Sequence, residues 1–214
     1  MRSSFKTVFY TALLMSLPAV VGAQSAIGIR GGLNYASFSG DDAGDFERAS
    51  VYNFGAFFKT PLTDVLGVQV GAGFAQRGAE LTDDGAVQKF TLSYLEIPLL
   101  LTLSPPPAGR VGVTFSVGPA LGFNTGCNAK VTGATGIIGL DTECENDPIN
   151  AEVKSFDVSA MVGLGVDINL TESVSLVLDG FYNYGFTKFD DSGVDDDVKH
   201  RAFSLLIGLA FLAG

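Results

Sequence analysis

From Leu66 to Ala75 the chain reads Leu-Gly-Val-Gln-Val-Gly-Ala-Gly-Phe-Ala. Leu66, Val68, Val70, Ala72 and Phe74 share one parity; Gly67, Gln69, Gly71, Gly73 and Ala75 share the other. Successive side chains of a strand point to opposite faces, so this period predicts a strand with one greasy and one small-residue face. A strand facing water would carry Lys, Glu, Thr and Gln on its second face. Glycine and alanine there suit a crowded interior, which leaves the apolar parity outside.

Seven more segments on either side repeat the pattern. Ile27, Ile29, Leu33 and Tyr35 alternate with Gly28, Arg30, Gly32 and Asn34, and Tyr52, Phe54, Ala56 and Phe58 with Asn53, Gly55, Phe57 and Lys59. Leu95, Ile97, Leu99, Leu101 and Leu103 oppose Tyr94, Glu96, Pro98, Leu100 and Thr102; Val111, Val113, Phe115, Val117 and Leu121 oppose Gly112, Thr114, Ser116 and Gly118. Phe156, Val158, Ala160, Val162, Leu164 and Val166 alternate with Asp157, Ser159, Met161, Gly163, Gly165 and Asp167. Val174, Leu176, Leu178, Tyr182 and Tyr184 face away from Ser175, Val177, Asp179, Phe181 and Asn183. Last, Phe203, Leu205, Ile207, Leu209 and Phe211 oppose Ala202, Ser204, Leu206, Gly208 and Ala210. No charge falls in the middle of an apolar parity. That matters because Arg or Lys on a lipid face costs ~2–4 kcal/mol near the midplane.

Connections of two kinds join these segments. Those around Pro61 to Asp64, Ser104 to Gly109 and Asn169 to Ser173 are short and read as periplasmic turns. The other four are expected to be long and acidic: Asp41, Asp42, Asp45 and Glu47; Glu80, Asp83 and Asp84; a cysteine-containing loop; and Asp190, Asp191 and Asp195 to Asp197. Short alternating with long is the outer-membrane barrel pattern. The expected fold is an all-β, eight-stranded, antiparallel, up-and-down transmembrane β-barrel. Tyr35, Tyr52, Phe74, Phe123, Phe156, Tyr182, Tyr184 and Phe203 are placed at the long-loop rim as an aromatic girdle.

Residues 1–23 are read as a cleavable signal peptide: Arg2 and Lys6 are basic, Val8 to Val21 is almost wholly apolar, and Val21-Gly22-Ala23 is a small-residue cleavage pattern. Residues 24–214 then form the barrel domain. Of the chain's 13 basic and 23 acidic residues, Arg2 and Lys6 leave with the leader, so the mature chain carries 11 − 23 = −12, which argues against a nucleic-acid partner. The chain is 47% hydrophobic and only 17% charged, so the acid is concentrated in the loops. Beyond Ala23 no apolar run reaches the ~18 residues of a membrane helix, and strands remain the means of crossing.

Ser93-Tyr94-Leu95-Glu96-Ile97-Pro98-Leu99-Leu100 resembles the "YLEIPL" hallmark of the PorT-like outer-membrane β-barrel family. Gly31-Gly32-Leu33-Asn34, Gln76-Arg77-Gly78, Gly118-Pro119 and Tyr182-Asn183-Tyr184-Gly185 fit the same picture. The resemblance implies an eight-stranded barrel in the bacterial outer membrane. Members of that family mostly lack an assigned activity; one branch is linked to protein secretion, a role not carried over here. Pro98 removes a ladder donor where a closed barrel has no free edge, so a bulge or a break in pairing is expected there.

The candidate lumen charges are Arg30, Lys59, Glu96, Asp157, Asp167 and Asp179. Buried ions need partners, so pairs such as Arg30 with Glu96 or with Asp179 are expected to tie opposite walls and plug the lumen. The alternative is a narrow pore for ions or small solutes. Cys127 and Cys144 are expected to form a disulfide within the third long loop, in the oxidising compartment that export implies. Neither a metal nor a cofactor is expected, because two cysteines alone are a poor ligand set and the acidic run Asp190 to Asp197 lacks the calcium-loop register. His200, at the rim of the last strand, is the one candidate for a general base, and no nucleophile pairs with it in sequence, so an enzyme is not expected. Outer-membrane lipid is the expected surrounding, with a protein or other surface ligand at the long loops.

Overall fold

A computed structural model describes residues 25–39, 47–83, 86–132, 140–143, 155–186 and 199–213. The strands are β1 (Ser25–Ser39), β2 (Glu47–Pro61), β3 (Leu66–Asp83), β4 (Ala86–Leu103), β5 (Val111–Thr132), β6 (Leu140–Glu143), β7 (Phe156–Asn169), β8 (Val174–Gly185) and β9 (Lys199–Ala213). Eight of them close a ring in the order β1, β2, β3, β4, β5, β7, β8, β9, every pairing antiparallel. Pairing of Ser25 with Ala213 through Ser39 with Lys199 seals the seam between first and last strands. Closure matters because an unpaired backbone edge has no water partner in hydrocarbon. β6 stands outside the ring and pairs only with the far end of β5. The predicted leader lies outside the described residues.

Two of the three short turns use the same local chemistry. Leu62 N–H donates to Leu66 O (2.8 Å) and Leu170 N–H to Val174 O (2.9 Å). Thr63 and Thr171 then accept from the N–H three residues on, at 2.9 and 3.0 Å. Leu-Thr-Asp-Val and Leu-Thr-Glu-Ser thus make the same turn, with a threonine hydroxyl satisfying a donor that starts the next strand. The third turn passes through Gly109 at φ 68°, a backbone shape glycine takes without cost.

The parity read from the sequence is the parity of the wall. Ile29, Phe54, Leu99, Val117, Val162 and Ile207 point outward and stand more than half exposed, whereas Leu100, Ala120, Ser159 and Ser204 point inward and are buried. An apolar band this continuous is satisfied by hydrocarbon and not by water. Its upper limit is legible in the register. Phe54, Phe74, Leu95, Phe123 and Phe156 form one cross-strand row. Tyr35, Phe203 and Tyr182 form another. The rings of Phe54 and Phe74 lie 5.4 Å apart and those of Phe123 and Phe156 5.3 Å, contacts of ordinary aromatic geometry. Beyond the row the outward positions of β3, β4 and β5 turn polar: Gln76 opposite Ser93, Thr91 opposite Asn128, and Glu80 opposite Lys89, which form an ion pair at 2.9 Å.

Two expectations are corrected. The second connection is not a long acidic loop: β3 runs to Asp83 and β4 starts at Ala86, so Glu80 and Asp83 belong to a paired hairpin that continues the wall past the aromatic row. Cys127 is in β5 opposite Leu92 and not in a loop; Cys144 lies outside the described residues. At Pro98 the expected break in pairing is present, without a slip in register. The β3–β4 ladder lapses between Val70–Leu99 and Gly73–Glu96, and the β4–β5 ladder between Pro98–Ala120 and Leu101–Val117, with register unchanged across both gaps. The bulge in this part of the wall sits higher: the β4–β5 register shifts between Ser93 and Tyr94, where Thr125 is the extra residue and donates to Ser93 O (3.1 Å).

Candidate functional site: the charged lumen

Inward side chains of the eight barrel strands meet along the axis, and the ions among them lie in three storeys. The top storey lies level with the aromatic row, since Glu96 follows Leu95 and Asp157 follows Phe156. Here β3 contributes Arg77, fully buried. Its Nη1 donates to Asp157 Oδ2 of β7 (2.5 Å), its Nη2 donates to Glu96 Oε2 of β4, and its guanidinium lies 4.8 Å from the Tyr94 ring. Asn183 of β8 adds a donor to Glu96 Oε2 at 3.2 Å. His200 of β9 is buried, and its Nε2 stands 3.3 Å from Asp157 Oδ2, within ion-pair range but without hydrogen-bond geometry. One cation therefore joins two carboxylates and ties the β3–β4 wall to β7. Removing the arginine would leave Glu96 buried without a countercharge and Asp157 with only the His200 imidazole beside it, whereas the geometry present gives each acid a charge-assisted bond. Beside this layer, between β1, β2 and β9, Ala36, Ala49, Val51 and Ala202 pack as one buried apolar cluster.

In the middle storey Arg30 Nη1 of β1 donates to Asp179 Oδ2 of β8 at 2.7 Å. The guanidinium is sandwiched between Phe57 at 5.0 Å and Phe181 at 4.6 Å from the ring centroids. Both rings lie over glycines across the strand pair: a Cβ at Gly28 would meet Phe57 at 2.3 Å, and one at Gly163 would meet Phe181 at 2.3 Å. The glycines are thus the room that lets two aromatic rings fold down across the lumen and hold Arg30 between them.

At the bottom, Lys59 Nζ of β2 donates to Thr114 Oγ1 (2.8 Å), and Thr114 donates to Asp167 Oδ2 (3.0 Å). The direct Lys59–Asp167 distance is 3.6 Å, an ion pair relayed by the threonine hydroxyl. These side chains remain a quarter to a third exposed, unlike those above. They face a chamber of about 300 Å³ bordered by the short turns.

Glu96 and Asp157 are buried, Arg30 and Asp179 nearly so, and Lys59 and Asp167 stand partly exposed at the chamber. Arg30 pairs with Asp179; Glu96 does not pair with Arg30 but with Arg77, which lies beyond the apolar alternation of Leu66 to Ala75. His200 is another correction: it is buried at the top ion layer rather than displayed at the rim. Arg77 had a signal, since 77 continues the inward parity 67, 69, 71, 73, 75 of the same strand. Among the described residues no cluster of three metal-ligating side chains occurs.

Comparison with known proteins follows the same line. The model of the "Outer membrane protein beta-barrel domain" family matches residues 22–191. The solved structure of Neisserial surface protein A is 15% identical and similar over 87% of this chain and 97% of that one, with a TM-score of 0.51. The outer membrane protein OprG from Pseudomonas aeruginosa is 14% identical over 90% of this chain and 98% of its own, with a TM-score of 0.46. At such identities the first likeness speaks to fold alone. Among curated proteins none matches the chain. A closed eight-stranded wall, a lipid-facing apolar band and a family match over most of the sequence agree: the chain belongs to the outer membrane protein β-barrel domain family and resides in the bacterial outer membrane.

Proposed function

We propose that this protein is a closed, non-conducting barrel that works as a structural platform, presenting its acidic extracellular segments and the β3–β4–β5 extension to a surface partner. The observation that carries the reading is the double crossing of the lumen, by Arg77 with Glu96 and Asp157, and below it by Arg30 with Asp179 between two aromatic rings. An ion entering either layer would have to break a low-dielectric ion pair, and the void bordered by Arg30 and Glu96 holds only about 30 Å³. Planar-bilayer recordings of the purified protein test this: silence is expected, and stable ion-selective steps would establish the narrow pore instead. Exchanging the loop around Asp190 to Asp197 for a neutral sequence is expected to abolish partner capture while leaving heat-modifiable gel migration intact.

Catalysis forms no part of this reading. His200 is buried against Asp157 and Arg77, away from any substrate at the rim, so His200→Ala is expected to alter stability and no turnover. We infer that the chain falls in the PorT-like branch, on Tyr94-Leu95-Glu96-Ile97-Pro98-Leu99. We infer too that residues 1–23 are removed on export, leaving residues 24–214 as the barrel domain; amino-terminal sequencing of the membrane form is expected to start at Gln24. A Cys127–Cys144 disulfide is supported by register: Asn128 pairs with Glu143, so the two cysteines are the next positions along those chains. A ring of this size contributes about 3 kcal/mol in the chain-entropy model. Thiol labelling before and after reduction checks it.

A further inference from the structure

The chamber below Phe57 is a dead end. Phe57, Ala26 and Ala210 form its buried roof, packed with Val177, and Arg30 stacks on the Phe57 ring. Its mouth lies among the short turns, where Pro105, Pro106 and Pro107 stiffen one side and Asp64 adds a negative charge. At about 300 Å³ it sits at the lower end of the ~300–1,000 Å³ typical of small-molecule sites.

Its polar groups are only partly used. A lysine ammonium has three donors, and Lys59 gives one to Thr114 while standing 3.6 Å from Asp167, beyond hydrogen-bond distance. Asp167 accepts from Thr114 through Oδ2, and among the described residues its other oxygen has no donor. Thr102, which lines the same chamber, is buried and its Oγ1 has no hydrogen-bond partner. A spare donor charge and a spare acceptor charge therefore stand side by side at net zero, beneath an apolar roof. A bare anion is opposed by Asp167 and by Asp64 at the mouth; a bare cation is opposed by Lys59.

We propose that this chamber binds a small zwitterion of amino-acid type, its carboxylate on Lys59, its ammonium on Asp167 and its apolar part under Phe57. This goes beyond the closed-barrel reading: conductance tests the layers above the chamber, and binding tests the chamber itself.

The experiment is NMR titration of the isotope-labelled full mature chain in lipid nanodiscs, with L-alanine as probe and propionate and ethylamine as single-charge controls. Saturable shifts at Lys59, Thr114 and Asp167 in the millimolar range are expected with L-alanine, and binding at least about tenfold weaker with either control. Lys59→Met and Asp167→Asn are each expected to weaken L-alanine binding by about tenfold or more while keeping heat-modifiable migration. The controls on the unaltered protein keep the test decisive should a variant fail to fold. Absence of a saturable response, equal binding of propionate, or shifts confined to the extracellular end would overturn the proposal and leave a water-filled recess.

Discussion

The two ends of the lumen carry similar charges and treat them differently. At the end away from the short turns Arg77 and its two carboxylates are buried and joined directly, with Asn183 and Tyr94 completing the layer. At the short-turn end Lys59 and Asp167 stay partly exposed, 3.6 Å apart, and speak through a threonine hydroxyl. Where water is excluded a charge persists only when its partners are in place; beside an open mouth, water supplies what the partner does not. The deep layers therefore act as cross-links, and the shallow one has capacity left for a ligand.

If that contrast is correct, substitutions should rank by depth. Arg77→Met strands Glu96 and Asp157 and is expected to cost about 3–5 kcal/mol, read as a lower denaturant midpoint for loss of the compact gel band. A midpoint unchanged by Arg77→Met would show that the upper layer is no cross-link. Val117→Arg, on the outer face, is expected to cost about 2–4 kcal/mol in lipid, whereas the neighbouring inward Ser116→Ala should stay near neutral; equal effects would remove the distinction between faces. In the middle storey, Arg30→Met with Asp179→Leu should be more stable than Arg30→Met alone, because the double change leaves no unpaired ion. Unfolding titrations of both variants measure the difference. Lys59→Met is expected to move the midpoint by no more than about 1 kcal/mol, as its pair is already hydrated. The outer-surface pair Glu80–Lys89 should matter least, with Lys89→Ala costing about 0.2–1 kcal/mol and less at high salt.

Several of these positions were readable before any coordinates. Strict alternation in Leu66 to Ala75 put Gln69 inside and Val70 outside, and the structure keeps them there. The same alternation placed Arg30, Lys59, Glu96, Asp157, Asp167 and Asp179 inside. Arg77 was within reach of the parity rule but fell beyond the end of the apolar pattern. The outward face of β3 becomes polar after Phe74, so the periodic signal stops while the strand goes on for nine residues to Asp83. The hairpin that replaces the expected second loop was hidden for the same reason: outside hydrocarbon, pairing continues without greasy alternation. His200 was misplaced because its polar neighbours Lys199 and Arg201 suggest a solvated end, yet its parity is that of Ala202 and Ser204.

By itself, then, the sequence determined which face of each strand meets lipid, because a side-chain period of two admits only two answers and hydrocarbon rejects one of them. It also determined that the ions within would have to find partners. Which partner each one found was decided by the tertiary structure alone. Arg30 reaches Asp179 and not Glu96, and Arg77 reaches both Glu96 and Asp157, because the stagger of strands around a closed ring sets the height of every inward side chain. That height is a property of the whole circumference, and no single strand encodes it.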